Sequence, residues 1–351
     1  MPAVAATDRP APDLPAAPRV NARRALVVAV IAVCLVAAVC ASLALGSVKV
    51  PLGQVVDALF GWLTGNEARG VDREIILQLR LPRTVTAVAV GASLGVAGAM
   101  LQGSLGNPLA SPDIVGVTGG AAFGAMLVIL LSPGHVALLP LSALVFGMVA
   151  ALLVLMISWT GANRGGVGRL ILSGIAIGSV FTAATSMLMA IYPSRAPSAV
   201  MWLAGSLQTE GWPTIRSVAP YLAVGLVLAF ALVRPLNRLA LGDEVAASLG
   251  TSPRTVRLLA IVAAAILASG SAALAGLLGF LGIVIPHAVR LLGGTSNHTF
   301  VVPVSALAGA TLLTAGDVVA RTLKAPLELP VGPMMVAIGV PLFLWLLRRA
   351  V

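Results

Sequence analysis

Long apolar runs follow one another along most of the chain and are separated by short segments containing Arg, Pro, Gly and Asn. A membrane-crossing helix needs about 20 predominantly apolar residues, and most of these runs are close to that length. Helices are expected because lipid requires each backbone N–H and C=O to bond within its own segment. The predicted fold is therefore an all-α polytopic transmembrane helical bundle with ten spans, at residues 25–46, 84–101, 113–132, 137–159, 170–191, 219–233, 257–274, 277–292, 300–317 and 331–347.

One run, from Arg257 to Leu292, is too long for a single crossing of an apolar layer about 30 Å thick. We divide it near the glycines and alanines of "SGSAALAG". Two connecting segments, residues 47–79 and 192–218, have spacings that predict short helices lying at the membrane interface. Such helices either cover a pathway or simply complete long connections, and the pattern allows both.

Composition supports a membrane protein, since the 351 residues are 59% hydrophobic and 10% charged, with a mean hydropathy of +1.03. A soluble domain of this composition would expose large apolar patches. The net charge of +10 does not indicate nucleic-acid binding, because the basic residues lie in short loops and at the ends of spans. Cys34 and Cys40 lie inside the first span and are interpreted as small buried hydrophobes.

The two termini are predicted to lie on the same side of the membrane. Residues 1–24 are rich in Pro and Ala and predict a disordered tail, followed by one transmembrane domain over residues 25–351. An even number of spans returns the chain to its starting side, and Arg348 and Arg349 after the last span mark that side as cytoplasmic.

A stretch within and after the second span combines close helix packing with a sharp turn. Glycines at three- and four-residue spacing run from Gly91 to Gly98 and allow neighbouring helices to approach closely. The Asn107-Pro108 pair then breaks the helix. Asn107 and Leu109 are expected at the cytoplasmic end of any central pore, although Asn-Pro is also a common turn sequence.

The segment from Arg234 to Arg257 predicts two short helices in a cytoplasmic loop, one within "LGDEVAASLG" and a second that starts after Ser252-Pro253. In "LGDEVAASLG", Asp243 and Glu244 occupy the first turn, where the helix dipole favours negative charge, and Gly250 follows the end. The pair of helices is either a docking site for a soluble partner or a capped surface hairpin.

Charged residues near the ends of two later spans are interpreted as structural. His287 and Arg290 lie three apart on one helix face, and no Cys, Asp or Glu accompanies the histidine closely, so no metal site is predicted. Asp317 and Arg321 are spaced for an ion pair that would fix the direction of the arginine.

The sequence shows no phosphate-binding loop and no nucleophile–base arrangement, so it predicts a transport subunit rather than an enzyme. Transport energy then comes from an ion gradient or from a separate subunit. Gradient-driven transporters usually carry carboxylates inside the membrane, and acidic residues are nearly absent from these spans. This favours a separate subunit.

Six stretches occur in a recognisable order: "LRLPRT", "NPLASPDIVGV", "LGDEVAASLG", "GFLGIVIPHAVR", "DVVARTL" and "ELPVGPMMVAIGVPLFLWLL". Together they resemble the permease subunits of bacterial ATP-binding-cassette (ABC) importers for iron–siderophore complexes, haem and vitamin B12. The likeness covers about residues 30–350. It implies two permeases, identical or similar, in the bacterial inner membrane, with the pathway between them.

The resemblance also implies further partners: two cytoplasmic subunits that bind ATP and Mg, and an extracytoplasmic substrate-binding protein. The chain itself is expected to hold no cofactor. Ferric siderophores are the expected cargo, with vitamin B12 or haem as the alternative. A gradient-driven secondary transporter and a non-transporting scaffold are the alternatives from other classes.

Roles for individual residues follow from the same resemblance. Three arginines are expected on the outer surface, where they pair with glutamates of the binding protein through their planar, permanently charged guanidinium groups. Anchoring in lipid head groups is the other interpretation of these arginines. The docking residues are Arg80, Arg83 and Arg321. The cytoplasmic gate residues are Asn107 and Leu109. The ATPase-coupling residues are Gly242, Asp243, Glu244, Ala247, Leu249 and Gly250. The residues given structural roles are Pro108, Pro286, His287, Arg290 and Asp317.

Overall fold

The computed structural model describes residues 17–46, 50–64, 71–159, 167–207, 211–325 and 327–350. Within these ranges the chain forms helices joined by turns and short loops, and no strand occurs. The α-helices of the described ranges are α1 Ala17–Ala44, α2 Leu52–Leu63, α3 Val71–Glu74, α4 Leu81–Leu105, α5 Val117–Met126, α6 Leu139–Trp159, α7 Val167–Ile191, α8 Ala196–Leu203, α9 Trp212–Ala231, α10 Val233–Leu239, α11 Asp243–Ser248, α12 Pro253–Ala275, α13 Leu281–Gly293, α14 His298–Thr322 and α15 Val331–Ala350. π-helical turns at Ile75–Arg80 and Leu127–Leu131 precede α4 and follow α5.

Each of the ten predicted spans contains a helix, but the helices differ in length. In the described part of the chain, seven stretches are long and apolar enough to cross a membrane: Asn21–Ala44, Ile75–Leu105, Pro133–Ser158, Gly168–Ile191, Trp212–Ala231, Pro253–Ala275 and His298–Thr322. The other three predicted spans correspond to the shorter apolar helices Val117–Leu131, Leu281–Gly293 and Val331–Trp345. The all-α prediction is confirmed, whereas the count of ten spans stays a prediction.

Helix α4 lies at the centre of the bundle, where most of its side chains are buried against α12, α13 and α14. A Cβ atom added to Gly98 would lie 1.9 Å from the carbonyl oxygen of Gly282 on α13. A Cβ atom added to Gly91 would lie 2.3 Å from the carbonyl oxygen of Gly309 on α14. Only glycine lets backbones approach this closely, so the predicted packing role of these glycines is confirmed.

The two ends of α4 carry the polar residues singled out in the sequence. Its 25 residues span about 37 Å, which places Arg83 in the first turn and Asn107 beyond the last turn on opposite ends of the bundle. The Arg83 end also contains the C-terminal turns of α1 and α14. The Asn107 end contains α10, α11 and the first residues of α12 and α14. These two ends hold the candidate functional sites.

The predicted division between α12 and α13 is confirmed, and it lies at the end of the glycine–alanine stretch. Helix α12 continues to Ala275, after which Gly276 has a φ of 66°. A Cβ atom on Gly276 would also lie 2.2 Å from the carbonyl oxygen of Trp202. Phe280, with a φ of 69°, completes the turn before α13 begins. Two left-handed residues therefore redirect the chain between these helices.

Helix α1 begins earlier than the sequence pattern predicts. Residues 1–16 of the predicted tail lie outside the described ranges, but α1 starts at Ala17, so the boundary predicted at residue 24 falls inside a helix. Arg23 donates hydrogen bonds to the carbonyl oxygens of Leu291 and Leu292 at 3.0 and 2.9 Å. These carbonyls end α13, where a cation is stabilised by the helix dipole.

The short helices predicted in the two long connections are present as α2 and α8, and their position at a membrane interface stays a prediction. Helix α2 buries Val55 and Ala58 and exposes Val56 on its other face. Its last turn packs against α9, where the rings of Trp62 and Trp212 are stacked with centroids 6.4 Å apart. Whether these helices cover a pathway stays a prediction.

Several peripheral helices expose apolar side chains in this single chain. Leu172, Val180 and Met187 on α7 are largely exposed, and α1 is similarly open. Cys34 and Cys40 on α1 are exposed as well, so the prediction that they are buried was wrong. The sequence placed them correctly in an apolar helix, but α1 lies at the edge of the bundle and only one of its faces packs against other helices.

Candidate functional sites at the two ends of the bundle

At the Arg83 end, a buried carboxylate holds an arginine from the opposite part of the sequence. Arg83 donates to Asp317 through Nε, at 3.1 Å from both carboxylate oxygens, and through Nη2, at 2.8 Å from Oδ1. The Asp317 side chain is fully buried and that of Arg83 is 12% exposed. Arg83 also donates through Nη1 to Oε2 of Glu328 at 2.7 Å, and Glu328 lies nearer the surface. The result is a planar, bidentate ion pair with a second carboxylate at its rim.

Two more arginines converge on the same end and are bound by backbone oxygens. Arg321 donates through Nη2 to the carbonyl and hydroxyl oxygens of Ser42, at 2.6 and 2.8 Å. Arg80 donates through Nη1 to the carbonyl oxygens of Leu43 and Ala44, at 2.7 and 2.9 Å. These oxygens lie in the last turn of α1, whose dipole attracts cations. The arginines therefore join α1 to α4 and α14.

This burial changes the expected picture of the three docking arginines. Arg80 and Arg321 are only 6% and 5% exposed in this chain, so the expectation that they lie open on a surface was wrong. Helix α1, which the sequence analysis did not place beside them, covers both guanidinium groups. Arg83 retains a small exposed edge. Their role in docking a binding protein stays a prediction.

The predicted pair of Asp317 and Arg321 exists, but it is the weaker interaction of the carboxylate. Arg321 Nε lies 3.6 Å from Asp317 Oδ2, beyond hydrogen-bonding distance, whereas Arg83 bonds both carboxylate oxygens. Asp317 is therefore the shared counter-ion of Arg83 and Arg321, which agrees with the structural role that the sequence predicts for it.

At the Asn107 end, the chain leaves α4 through a tight polar turn, as predicted. Gly106 has a φ of 60° and terminates the helix. The Asn107 side-chain oxygen then accepts a hydrogen bond from the Leu109 amide at 2.9 Å, and its carbonyl accepts one from the Ala110 amide at 3.1 Å. Pro108 and Leu109 are exposed. The turn is confirmed, and the gate role of Asn107 and Leu109 stays a prediction.

Of the two short helices predicted beside this turn, the first is confirmed as α11, whereas the one expected after Ser252 is not a separate short helix but the beginning of the 23-residue α12. Helix α11 spans only six residues between α10 and α12. Gly242 before it and Gly250 after it have φ values of 101° and 75°, which side-chain-bearing residues rarely adopt. The helix rests on the surface through Ala246, its one buried member. The remaining predicted coupling positions that carry side chains are exposed: Asp243, Glu244, Ala247 and Leu249.

Asp243 is oriented by an arginine that the sequence analysis did not assign to the site. Arg257 on α12 donates through Nη1 and Nη2 to the two carboxylate oxygens of Asp243, at 2.8 and 2.7 Å. Its Nε donates to the carbonyl oxygen of Ser104, in the last turn of α4, at 3.2 Å. One side chain thus contacts both the α11 helix and the end of α4.

A cleft of about 440 Å³ separates α4 from α10 and α11 and is lined by further polar residues that were missed. Gln102 donates to the carbonyl oxygens of Gly282 and Ile283, at 3.0 and 3.2 Å, and accepts from Arg290. His298 Nδ1 lies 3.0 Å from the side-chain oxygen of Asn237. Gln102 lay inside an apolar helix in the sequence, where a single polar residue gives no indication of its partner.

His287 and the adjacent Pro286 form part of the helix packing. The His287 ring meets the Phe343 ring edge to face, with centroids 6.2 Å apart. Pro286 is buried inside α13 and Arg290 follows one turn later. In the part of the chain that the structure describes, no three His, Cys, Asp or Glu side chains lie close enough together to hold a metal ion.

The bundle of apolar helices, with an ionic cluster at one end and a protruding helical loop at the other, defines a polytopic membrane permease. The chain belongs to the FecCD transport family, whose model matches residues 34–349.

Curated relatives agree over nearly the whole chain. It is 37% identical to the Fe(3+)-citrate import system permease protein YfmE of Bacillus subtilis, covering 94% of this chain and 97% of the relative. It is 38% identical to the Fe(3+) dicitrate transport system permease protein FecD of Escherichia coli, covering 88% and 93%. Other relatives are permeases of hemin and cobalamin import systems.

A solved structure shows the same fold. It is described as an inward-facing conformation of a metal-chelate type ABC transporter, and it superposes with a TM-score of 0.80 at 32% identity. The superposition covers 92% of this chain and 98% of that one. The expected membership of a permease family of ABC importers is therefore confirmed.

Proposed function

We propose that this chain is the transmembrane permease subunit of an ABC importer that moves ferric siderophore or ferric citrate complexes into the cytoplasm. The observation that carries the proposal is family membership over residues 34–349, together with relatives named as ferric citrate permeases. The predicted spans contain only two carboxylates, Asp113 at the start of the third span and the paired Asp317, and this scarcity fits a transporter driven by a partner.

The proposed assembly contains two permeases, two cytoplasmic ATP-binding subunits and an extracytoplasmic binding protein. ATP and Mg would bind to the partner subunits, and this chain would hold neither. The Asn107 end would face the cytoplasm of a bacterial inner membrane with both termini there, and the Arg83 end would face outwards. The exposed apolar face of α7 is suited to contact with lipid or with the second permease.

In this arrangement α11 receives the movement of the ATP-binding subunits. Glu244 and Leu249 lie on its exposed surface, and Gly242 and Gly250 set its position. The exposed Leu109, held by the Asn107 turn, would narrow the cytoplasmic mouth of the pathway until α11 moves. The chain supplies gates and a path, while hydrolysis occurs on the partner.

Of the three predicted docking arginines, Arg83 is the most exposed and the one within reach of a docking protein at the outer end. Its Nη1 is bonded to Glu328, which is 34% exposed, and a carboxylate of the binding protein would compete with Glu328 for that donor. An exposed ion pair contributes about 0 to 1 kcal/mol, so such contacts would set register and encounter rate more than affinity. Arg80 and Arg321 would stabilise the position of Arg83 indirectly, because they hold α1 against α4 and α14.

Haem or vitamin B12 is the second candidate for the cargo, because relatives of both kinds match the chain. Uptake by a strain lacking the gene separates these candidates. We expect radiolabelled ferric siderophore or ferric citrate uptake to fail in the deletion strain and to return with the wild-type gene. If iron uptake is intact while haem or cobalamin uptake fails, the proposed cargo is wrong and the transport mechanism stands.

A second arm of the experiment tests the role of α11. The Glu244→Lys variant reverses a charge on the exposed surface of α11 without touching the Asp243–Arg257 pair. It should reach the membrane in normal amount and lose most uptake, because it opposes docking of the ATP-binding subunit. Normal uptake by this variant would contradict the role proposed for the α11 surface.

A further inference from the structure

Arg257 bridges the α11 helix and the end of α4, two elements that are far apart in the sequence. Its two terminal nitrogens bind both oxygens of Asp243 at 2.7 and 2.8 Å. Its Nε binds the carbonyl oxygen of Ser104 at 3.2 Å. A guanidinium group presents donors in a rigid planar fork, so the carboxylate and the carbonyl are held in a fixed relation to each other.

The two partners of Arg257 lie at the start of α11 and at the end of α4, next to the turn that contains Asn107. Asp243 is the first residue of α11, and Gly242 before it adopts a φ of 101°. Ser104 lies in the last turn of α4, three residues before Asn107. The carbonyl oxygens of a helix C-terminus carry partial negative charge, so the arginine is attracted to both partners.

The end of α4 borders a cleft, unlike its middle. Gly98 is locked against the backbone of Gly282, but residues 103–106 line the cleft of about 440 Å³ that separates α4 from α10 and α11. Arg257 lies across this cleft. Across this cleft, the guanidinium of Arg257 gives a displacement of α11 a direct connection to the last turn of α4.

We propose, building on the importer function proposed above, that Arg257 is a positioning residue that transmits movement of α11 to the Asn107 turn. Asp243 then acts inside the permease as the attachment point of Arg257, while its neighbour Glu244 faces outwards to the ATP-binding subunit. The two adjacent carboxylates of "GDE" have separate tasks. Lysine cannot replace Arg257, because a single ammonium group does not span Asp243 and Ser104 in this geometry.

The first test uses the purified full chain in lipid nanodiscs and needs no partner protein. Hydrogen exchange is followed at the amides of Leu109 and Ala110, which are bonded to Asn107. The Arg257→Gln variant should accelerate their exchange by up to about fivefold, the range expected for a partly exposed ion pair. Arg234→Gln removes an exposed arginine from the same end and should leave their exchange unchanged. Equal exchange in all three proteins would overturn the proposal.

The second test measures coupling in the assembled importer reconstituted in liposomes, as cargo moved per ATP hydrolysed. Asp243→Asn and Arg257→Gln should each lower this ratio by up to about fivefold, and the double variant should be no worse than Arg257→Gln alone. Arg257→Lys should not restore it. If the role of Arg257 is purely structural, the variants will reduce transport and hydrolysis in parallel and leave the ratio intact, which would contradict the proposal. Additive losses in the double variant would also contradict it, because they would show that Asp243 and Arg257 do not act through a shared pathway.

The two proposals fail in different ways. If the wild-type assembly moves no cargo with ATP, the importer function is wrong and the inference fails with it. If the wild type is active and coupled while Asp243→Asn and Arg257→Gln remain fully coupled, only the role of Arg257 is wrong.

Discussion

Replacing Asp317 with Asn should destabilise the protein strongly, because it removes the buried counter-ion of two arginines. Asp317 is fully buried, its oxygens accept three hydrogen bonds from Arg83, and Arg321 Nε lies 3.6 Å away. Breaking a buried ion pair by removing one partner costs about 3 to 5 kcal/mol, since the remaining charge stays in a poorly solvated place. Asparagine has nearly the same shape, so the loss measures charge rather than packing.

The matched control is Glu328→Gln, which removes the outer carboxylate of the same arginine. Glu328 is 34% exposed, so the loss there should not exceed about 1 kcal/mol. The free energy of unfolding is measured for both variants and the wild type in the same detergent or nanodisc. A loss below about 1 kcal/mol for Asp317→Asn, or an equal loss for the two variants, would refute the reasoning that burial determines the energy of this cluster.

Two further predictions concern packing and sidedness. Gly98→Ala places a methyl group 1.9 Å from the Gly282 carbonyl oxygen and should lower the free energy of unfolding, measured by thermal unfolding, by about 1 to 3 kcal/mol. Gly53→Ala has open space around it and should leave the free energy of unfolding unchanged or slightly raised. A milder effect at position 98 than at position 53 would contradict the close contact. In a background without the two native cysteines, Leu241→Cys should react with an impermeant maleimide only from the cytoplasmic side and Val56→Cys only from outside, since both positions are exposed at opposite ends. Labelling of both from one side would contradict the proposed topology.

Much of the fold follows from sequence because lipid leaves few choices. Apolar runs near 20 residues must be helical, and the glycine pair Gly91 and Gly98 could be assigned to helix contacts from its spacing. The Asn107-Pro108 turn and the glycine-bounded α11 were predicted for similar local reasons, since proline and left-handed glycine interrupt helices wherever they occur. These features depend on neighbours in the sequence.

The contacts that define the sites could not be predicted, because they join distant parts of the chain. Arg83 and Asp317 are 234 residues apart in the sequence, and nothing in either helix indicates which arginine pairs with the carboxylate. The partners of Arg257 could not be predicted either, because the residues around it in the sequence show only a basic residue after a short helix. The cover that α1 provides over Arg80 and Arg321 depends on helix arrangement rather than on pattern. Burial and exposure at these positions therefore required the three-dimensional structure.

The measurement that tests the central claim most directly is uptake of radiolabelled ferric siderophore or ferric citrate under two kinds of energy limitation. Cells or vesicles carrying the wild-type chain and its partner subunits are compared after ATP depletion and after collapse of the proton gradient with ATP maintained. We predict that ATP depletion abolishes uptake and that the uncoupler leaves it largely intact. Uptake that survives ATP depletion and stops with the uncoupler would show a gradient-driven transporter and contradict the account.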